Sequence, residues 1–415
     1  MIEINRHILI LPNGLRVVHN RNAATQMAAV NLLYRVGSKN EDADSTGLAH
    51  LLEHLMFGGS ENAPDFDRKL QNAGGECNAW TNSDITNYYE TVPSYNIETA
   101  LWLESDRMQN LLLTDKSLEV QRSVVMEEFK QRCLNTPYGD SGHHWRKVAY
   151  KVHPYRWPVI GEKLEHIENV TAERVRSFYR RFYSPDNAIL SIVGNMDADE
   201  AFRLAEKWFG DIPASGFVHP ALPVEPVQTE ARSLRVAKDV PHDMLVRIYH
   251  MCDRMHADYQ TCDLLSDVLS NGRSSRFYRN ILMCGNLVSS VDASITGDID
   301  AGVLIVKAHL LPGVGYKAVE DAIDAEIDAV LSGKVDAWEI EKNVNRFESN
   351  ALFTNINNDD RAANLGYYEA LGDVEMINSE VGRYRQITPK KLAEVAAAVL
   401  RPENCTTLYY ESNRK

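Results

Sequence analysis

Short blocks of apolar and polar residues define the first half of the chain, and their period changes from block to block. In residues 8–20, two apolar runs flank Asn13-Gly14, a pair typical of a hairpin turn. Residues 28–36 predict a strand, and residues 76–92 alternate enough to predict paired strands. Helical spacing appears in residues 45–57, which Gly58-Gly59 ends, and again in residues 96–113 and 115–133. Strands and helices that mix without strict alternation predict an α+β fold.

Parts of the first half recur in the second half. Residues 50–55 (HLLEHL) align with residues 263–268 (DLLSDV), and Val170-Thr171 aligns with Ile387-Thr388. Pro185-Asp186-Asn187 aligns with Pro402-Glu403-Asn404 at nearly the same offset. A near-constant offset over several matches predicts a duplicated domain, so we expect two homologous domains.

Proline marks a boundary between the two halves. Residues 212–230 lack an amphipathic period and contain four of the fifteen prolines, namely Pro213, Pro220, Pro223 and Pro226. Such a segment is typical of an extended linker. We therefore predict a first domain at residues 1–212, a linker at 213–230, and a second domain at 231–415.

Length and composition exclude several classes of protein. A chain of 415 residues is too long for one hydrophobic core, and 44% hydrophobic with 25% charged residues is ordinary for a globular protein. The net charge of −14 argues against nucleic acid and, more weakly, against anionic membranes as partners. Six scattered cysteines without a CxxC pair predict reduced thiols. Neither a signal peptide nor a membrane span is predicted, so we expect a cytoplasmic protein, or a periplasmic one if a leader was removed.

One predicted helix carries a group of residues suited to metal chemistry. With about 100° per residue, His50, Glu53 and His54 share one face. Two imidazoles at this spacing can bind one Zn²⁺, and the carboxylate between them lies beside the bound water, as in the H-x-x-E-H signature. Two surface histidines with a glutamate are the commoner explanation of the bare pattern. The helix is otherwise strongly apolar, however, and three buried polar groups without a shared partner would be costly.

A catalytic zinc site needs a third protein ligand. The helix predicted at residues 115–133 offers three carboxylates, Glu119, Glu127 and Glu128, and Gln121 shares a face with Glu128. Spacing alone does not distinguish Glu127 from Glu128, and a run of exposed glutamates would be the ordinary explanation of both.

The chain resembles the pitrilysin/insulinase family of zinc peptidases, in the short-chain branch that includes the mitochondrial processing peptidase subunits. The resemblance spans most of the first half and is looser in the second, at residues 264–278 and 401–404. The first-half motifs are RVGS at 35–38 with Glu41, GLAHLLEHLMF at 47–57, GGECNAWT at 74–81, QRSVVMEEF at 121–129, HPY at 153–155, Gly161, and YSPDN at 183–187.

This resemblance implies a role for each matching residue. His50, His54 and Glu128 match the ligands of one Zn²⁺ per chain, and Glu53 matches the general base. The strand carrying Asn78, Ala79 and Trp80 matches the edge that a peptide substrate joins. The family's second glutamate is replaced by Gln121, so we expect Gln121 to act only behind the ligands. The implied fold is two mostly antiparallel sheets packed with helices, forming a clamshell half-chamber.

One departure from the family pattern concerns the second half. Active members place an arginine and a tyrosine there, whereas this chain has Leu282 and Ser289 at the matching positions. Arg276 and Tyr278 lie nearby but match a packing segment, and Asp263, Ser266 and Asp267 replace the metal motif, so no second zinc is expected. We therefore expect a zinc endopeptidase that works as a homo- or heterodimer, with a related subunit supplying the Arg/Tyr pair. The alternative is a zinc-binding, non-catalytic scaffold subunit.

Overall fold

The computed structural model describes residues 3–414. The strands in this part of the chain are β1 (His7–Ile10), β2 (Arg16–Arg21), β3 (Met27–Tyr34), β4 (Glu76–Thr81), β5 (Thr86–Pro93), β6 (Ala188–Gly194), β7 (Arg232–Lys238), β8 (Met244–His250), β9 (Val288–Ile295), β10 (Val303–Leu310) and β11 (Cys405–Ser412).

The α-helices are α1 (Leu48–Met56), α2 (Phe66–Asn72), α3 (Ile97–Gln109), α4 (Asp115–Phe129), α5 (Ser141–Ala149), α6 (Leu164–Glu168), α7 (Ala172–Phe182), α8 (Ala198–Phe209), α9 (Tyr259–Ser270), α10 (Tyr316–Leu331), α11 (Ala337–Thr354), α12 (Asn358–Ala370), α13 (Met376–Arg385) and α14 (Pro389–Val399). None of these helices has the length and apolar character needed to cross a lipid bilayer.

Two sheets with the same topology confirm the predicted α+β fold and its duplication. The first sheet has the order β1-β2-β6-β3-β5-β4, and the second has the order β7-β11-β8-β10-β9. In each sheet one pair of strands is parallel, β2 with β6 and β7 with β11, and the remaining pairs are antiparallel. Five strands of the first sheet therefore have counterparts, in the same order, in the second.

The sequence matches that predicted the duplication have a structural role. Thr171 caps the start of α7 and Thr388 caps the start of α14, each accepting a backbone N–H three residues later. Asn187 donates to the Phe182 carbonyl at 2.8 Å, and Asn404 donates to the corresponding Val399 carbonyl at 2.7 Å. These side chains fix the same helix-to-strand connection in both units, which explains why the two halves share these residues.

The chain forms two compact units that differ from the predicted domains 1–212 and 231–415. One unit contains residues 3–129, 157–222 and 350–379, and the other contains residues 130–156, 223–349 and 380–414. Helix α12, from the second half of the sequence, packs on β3, β5 and β6 of the first sheet. Helix α5, from the first half, packs on β7, β8 and β11 of the second sheet. The contiguous boundaries are therefore corrected, because each sheet has one face covered by a helix from the other half.

The predicted linker at residues 213–230 is also divided between the units, with the boundary after Leu222. It contains no helix or strand, as predicted, but its second part is held in place. The Glu225 carboxylate accepts the backbone N–H groups of Lys151, Val152 and His153 at 2.7–3.0 Å. Gln228 is buried and donates to the Cys405 carbonyl at 2.9 Å. This part of the segment is therefore fixed to its own unit by hydrogen bonds and is not a free linker.

Candidate metal centre

Helix α1 is fixed where it begins. Gly47 precedes it with φ of +89°, a left-handed conformation that favours glycine, and a Cβ there would lie 3.0 Å from the Ile160 carbonyl oxygen. The buried Glu41 carboxylate accepts the backbone N–H groups of Gly47 and Ala49, each at 2.8 Å. Burial raises the pKa of Glu41 to about 8, whereas these backbone N–H groups lower it. Glu41 thus satisfies amide donors at the helix start that have no partner within the helix.

The predicted ligands converge in the first unit. Helices α1 and α4 pack together, and the Glu128 carboxylate oxygen lies 3.3 Å from His54 Nε2 and 3.7 Å from His50 Nε2. The two imidazole rings are nearly perpendicular, with centroids 4.9 Å apart. Among the described residues these three form the group of potential metal ligands, with ligand atoms within 4.8 Å of one another. The contact selects Glu128, while the neighbouring Glu127 is exposed on α4.

The donor set fits zinc. Zinc takes nitrogen and oxygen ligands at about 2.0–2.2 Å, which places the ligand atoms of a tetrahedral site roughly 3.3–3.6 Å apart. The separations of 3.3 and 3.7 Å agree with that spacing. Two imidazoles and one carboxylate also leave a fourth position for water, which is the pattern of catalytic rather than structural zinc sites. Gln121, predicted to act behind the ligands, is partly buried on α4 two turns before Glu128.

Glu53 lies one turn after His50 and directly before His54, and its side chain points toward strand β4. Its Oε2 atom accepts a hydrogen bond from the Thr81 hydroxyl, at the end of that strand. The carboxylate is only partly buried, so it can be reached from solvent. Because α1 carries both ligands and Glu53, the hydrogen bond to Thr81 ties the helix to the edge of the first sheet.

The predicted substrate-binding residues lie on that edge. β4 is the last strand of the first sheet, paired with β5 on one side only. Asn78 and Trp80 are exposed, the latter to 38%, while Ala79 is half-buried. The Ala79 amide donates to its neighbour's side-chain oxygen, Asn78 Oδ1, at 2.9 Å. This amide therefore points away from β5, along the edge that an added strand would use.

Known proteins resemble the chain over almost its whole length. A family model described as "Insulinase (Peptidase family M16)" matches residues 16–136, and one described as "Peptidase M16 inactive domain" matches residues 169–347. The zinc protease PqqE of Helicobacter pylori is 29% identical over 407 residues, covering 96% of this chain and 91% of that protein. An uncharacterized zinc protease of Mycobacterium leprae is 30% identical over 73% of this chain and 68% of its own length.

The chain belongs to the insulinase family, peptidase family M16. Solved structures agree with this assignment: a Helicobacter pylori protease matches with a TM-score of 0.92 at 28% identity, covering 99% of this chain and 100% of that one. Pitrilysin matches with a TM-score of 0.76 at 20% identity over 45% of its chain, a likeness of fold alone. The resemblance of the sequence to this family is thereby confirmed, and M16 membership supports a peptidase-like function.

The second unit of this M16 chain carries no comparable group among the described residues. At the positions of the metal motif, Asp263 is partly buried in α9, where desolvation raises its pKa to about 6 and the Tyr384 hydroxyl donates to it at 2.5 Å. Asp267 accepts a hydrogen bond from the side chain of Asn271, the residue that follows α9. Helix α9 thus has the topological place of α1, but its acidic side chains are bound by neighbouring protein groups.

The positions that match the family's Arg/Tyr pair have other contacts. Leu282 packs against the core of the second unit, and the exposed Ser289 on β9 donates to the His309 carbonyl at 3.3 Å. Arg276 is buried and makes a two-pronged ion pair with Glu339. Arg276 is therefore a packing residue, as the family alignment predicts, because its guanidinium is already bound inside its own unit.

Two functional side chains were missed by the sequence reasoning. Glu41 and Thr81 both belong to the quoted motifs, but no role was predicted for either of them. The sequence hides the role of Glu41, because Ser45 and Thr46 are apparent caps and only the structure shows that the N-cap is Gly47, without a side-chain cap. Thr81 could have been suspected because alternation along β4 places it on the same side as Ala79.

Proposed function

We propose that this chain is a zinc-dependent endopeptidase that hydrolyses peptides or unfolded polypeptides. The observation that carries the proposal is the convergence of His50, His54 and Glu128 with Glu53 on the same face of α1. The fit of these donors to zinc, and the names of relatives called zinc proteases, support the identity of the metal.

Each residue then has a defined task. His50, His54 and Glu128 would hold the ion, which supplies a water with a pKa lowered toward about 7 and an electrophile for the scissile carbonyl. Glu53 accepts the proton of the attacking water on a carboxylate oxygen and delivers it to the leaving amine. The outward amide of Ala79 would exchange its bond to Asn78 for one to an extended substrate, so that main-chain pairing aligns the scissile bond.

We further propose that the active form is a dimer with a like or unlike related subunit, and that the unlike one is favoured because a second copy of this chain also has Leu282 and Ser289. The basis is that Leu282 and Ser289 occupy the positions of the family's arginine and tyrosine, which grip the substrate and stabilise the oxyanion. Loss of one oxyanion donor typically costs about 10²–10³ in rate. The isolated chain should therefore be a slow peptidase. Adding a related subunit that copurifies with it from the native source should raise its rate by about that factor.

Replacement of Glu53 by Gln tests the function. Zinc content should stay at one ion per chain, while hydrolysis of an unfolded polypeptide should fall by about 10²–10⁴, the usual contribution of a general base. The measurement is metal analysis together with peptide release, with and without the copurified subunit.

A second candidate is a zinc-binding scaffold subunit without catalysis of its own, which the loss of the Arg/Tyr pair favours. It predicts that Glu53→Gln changes neither the zinc content nor the activity of the complex. If the wild-type chain binds zinc but cleaves no polypeptide alone or with its partner, the peptidase proposal is wrong.

A further inference from the structure

A path of hydroxyl groups runs from Glu53 into the first unit. Thr81 Oγ1 donates to Glu53 Oε2 and lies 3.4 Å from the hydroxyl oxygen of Thr86, on the neighbouring strand β5. Thr86 is fully buried and donates its own hydrogen to the Val36 carbonyl at 2.9 Å. A hydroxyl has one hydrogen to donate. Because Thr86 has used its hydrogen, it can only accept from Thr81. The single hydrogen of Thr81 therefore has two acceptors within reach, and the Glu53 carboxylate is the closer and stronger one.

The backbone around Thr81 is fixed by its own turn. Asn82 Oδ1 accepts the backbone N–H groups of Asp84 and Ile85 at 2.7 and 2.8 Å, closing the turn between β4 and β5. The Ser38 amide donates to the Asn82 carbonyl at 3.2 Å, and the Lys39 amide donates to the Ser83 carbonyl at 2.9 Å. The turn is thereby held by the loop that precedes α1.

The same loop also fixes the other partner of the hydrogen bond. Glu41, a few residues after the contacts with the turn, binds the first amides of α1. A segment of about a dozen residues therefore sets the position of the Thr81 hydroxyl and the position of the helix that carries Glu53. This arrangement fixes the separation of the two backbone segments that carry Thr81 and Glu53.

We propose that Thr81 is a positioning residue for the general base. This inference rests on the proposed peptidase function. A glutamate has three side-chain torsions, and the last one is broad, so an unrestrained carboxylate would adopt many orientations. The hydrogen bond from Thr81 to Oε2 restricts these torsions and so limits the orientations of the carboxylate beside the metal ligands. An error of 1 Å in such a geometry can cost about 10²-fold in rate.

Paired substitutions at this position test the assignment by activity. Thr81→Val keeps the shape and removes the donor, whereas Thr81→Ser keeps the donor. We expect Thr81→Val to lower kcat about 10- to 100-fold, as loss of a supporting hydrogen bond behind an active site usually does, with zinc content and KM nearly unchanged. Thr81→Ser should recover most of the lost rate. Thr136→Val is the matched control, since this exposed hydroxyl bonds only to the nearby Gln131 carbonyl.

A second readout does not depend on activity. In zinc-free protein labelled with ¹³C at the glutamate carboxyl carbon, the resonance of Glu53 is identified by its absence in Glu53→Gln. Thr81→Val and Thr81→Ala should move this resonance, and Thr81→Ser should leave it near the wild-type position. Thermal unfolding of each variant shows whether it is folded, and Thr81→Ala serves if Thr81→Val is not.

The outcomes separate the two proposals. A carboxyl resonance that does not respond to loss of the hydroxyl, or a serine variant as impaired as the valine variant, would refute the role of Thr81. Wild-type protein that cleaves no polypeptide, alone or with its partner, would refute the peptidase function, while the resonance would still report whether Thr81 orients Glu53.

Discussion

Neighbouring glutamates on α4 differ in what their side chains contact. Glu128 lies within 3.7 Å of both imidazoles, whereas Glu127 is exposed on the adjacent position of the helix. A helix advances about 100° per residue, so one step is enough to turn a side chain away from the histidines. The two residues therefore form a matched pair: they have the same side chain and charge and adjacent positions on one helix, and they differ in the direction of the side chain.

The pair gives a direct prediction for metal affinity. Glu128→Gln removes an anionic ligand, and we expect zinc affinity to fall by at least about 100-fold, more than the 10- to 100-fold typical of groups behind the ligands. Glu127→Gln removes the same charge from the same helix, but it should change zinc affinity by less than about twofold because Glu127 is exposed and does not belong to the ligand group. Competition with a chromogenic chelator measures both constants. Equal losses in the two variants would contradict the assignment of Glu128.

Loop 37–41 connects two elements of the site, and Gly37 is where it approaches the β4–β5 turn most closely. Its backbone is extended, so glycine is not needed for its torsion angles. A Cβ at this position would instead lie 2.5 Å from the backbone nitrogen of Asp84. Only a residue without a side chain lets the loop bind the turn that carries Thr81.

A methyl group at Gly37 should therefore lower both the stability of the fold and the peptidase activity. Gly37→Ala should lower the free energy of unfolding by about 1–3 kcal/mol, the usual cost of overpacking. It should also lower peptidase activity, because the displaced turn carries the hydroxyl that holds Glu53. Gly142→Ala in α5 is the control, since a Cβ there meets nothing within 4 Å. Calorimetric unfolding compares the two variants, and an unchanged transition for Gly37→Ala would show that the loop can move away.

Local patterns predicted the elements of the site well. The hairpin, the strands and the helix of His50 and His54 were predicted within a few residues, because alternation and helical spacing depend only on neighbours along the chain. Glu128 could not be separated from Glu127 by spacing, since the choice depends on how α4 packs against α1. Glu41 and Thr81 act through contacts to residues that are 6–28 positions away in sequence. Local patterns carry no information about such contacts.

The sequence did not predict that each half contributes one helix, α5 or α12, to the unit of the other half. The burial of two strands is nevertheless consistent with it. β3 and β6 are buried along nearly their whole length, as strands are when both faces of a sheet are covered. Their apolar runs thus require a helix on each face. The sequence does not say which helix, because α5 and α12 occupy corresponding places in the order of elements of the two halves.

This exchange predicts how the chain behaves when it is divided after Leu222. Fragment 1–222 lacks α12 and fragment 223–415 lacks α5, so each would expose one face of its sheet to water. We expect each fragment to aggregate or bind a hydrophobic dye when it is expressed alone. Coexpressed fragments should copurify as one complex that binds one zinc.

A 223–415 fragment without residues 358–370 is the control and should not rescue fragment 1–222. Gel filtration and metal analysis measure these outcomes, and a monomeric fragment 1–222 that unfolds cooperatively and binds zinc by itself would show that α12 is dispensable. The physical reason for expecting otherwise is that α12 packs closely on β3 and β6. Even a Cβ added at Gly366 of α12 would lie only 3.1 Å from the side chain of Asn31 on β3 and 3.2 Å from that of Ser191 on β6, so removing this helix would expose the buried faces of both strands to water.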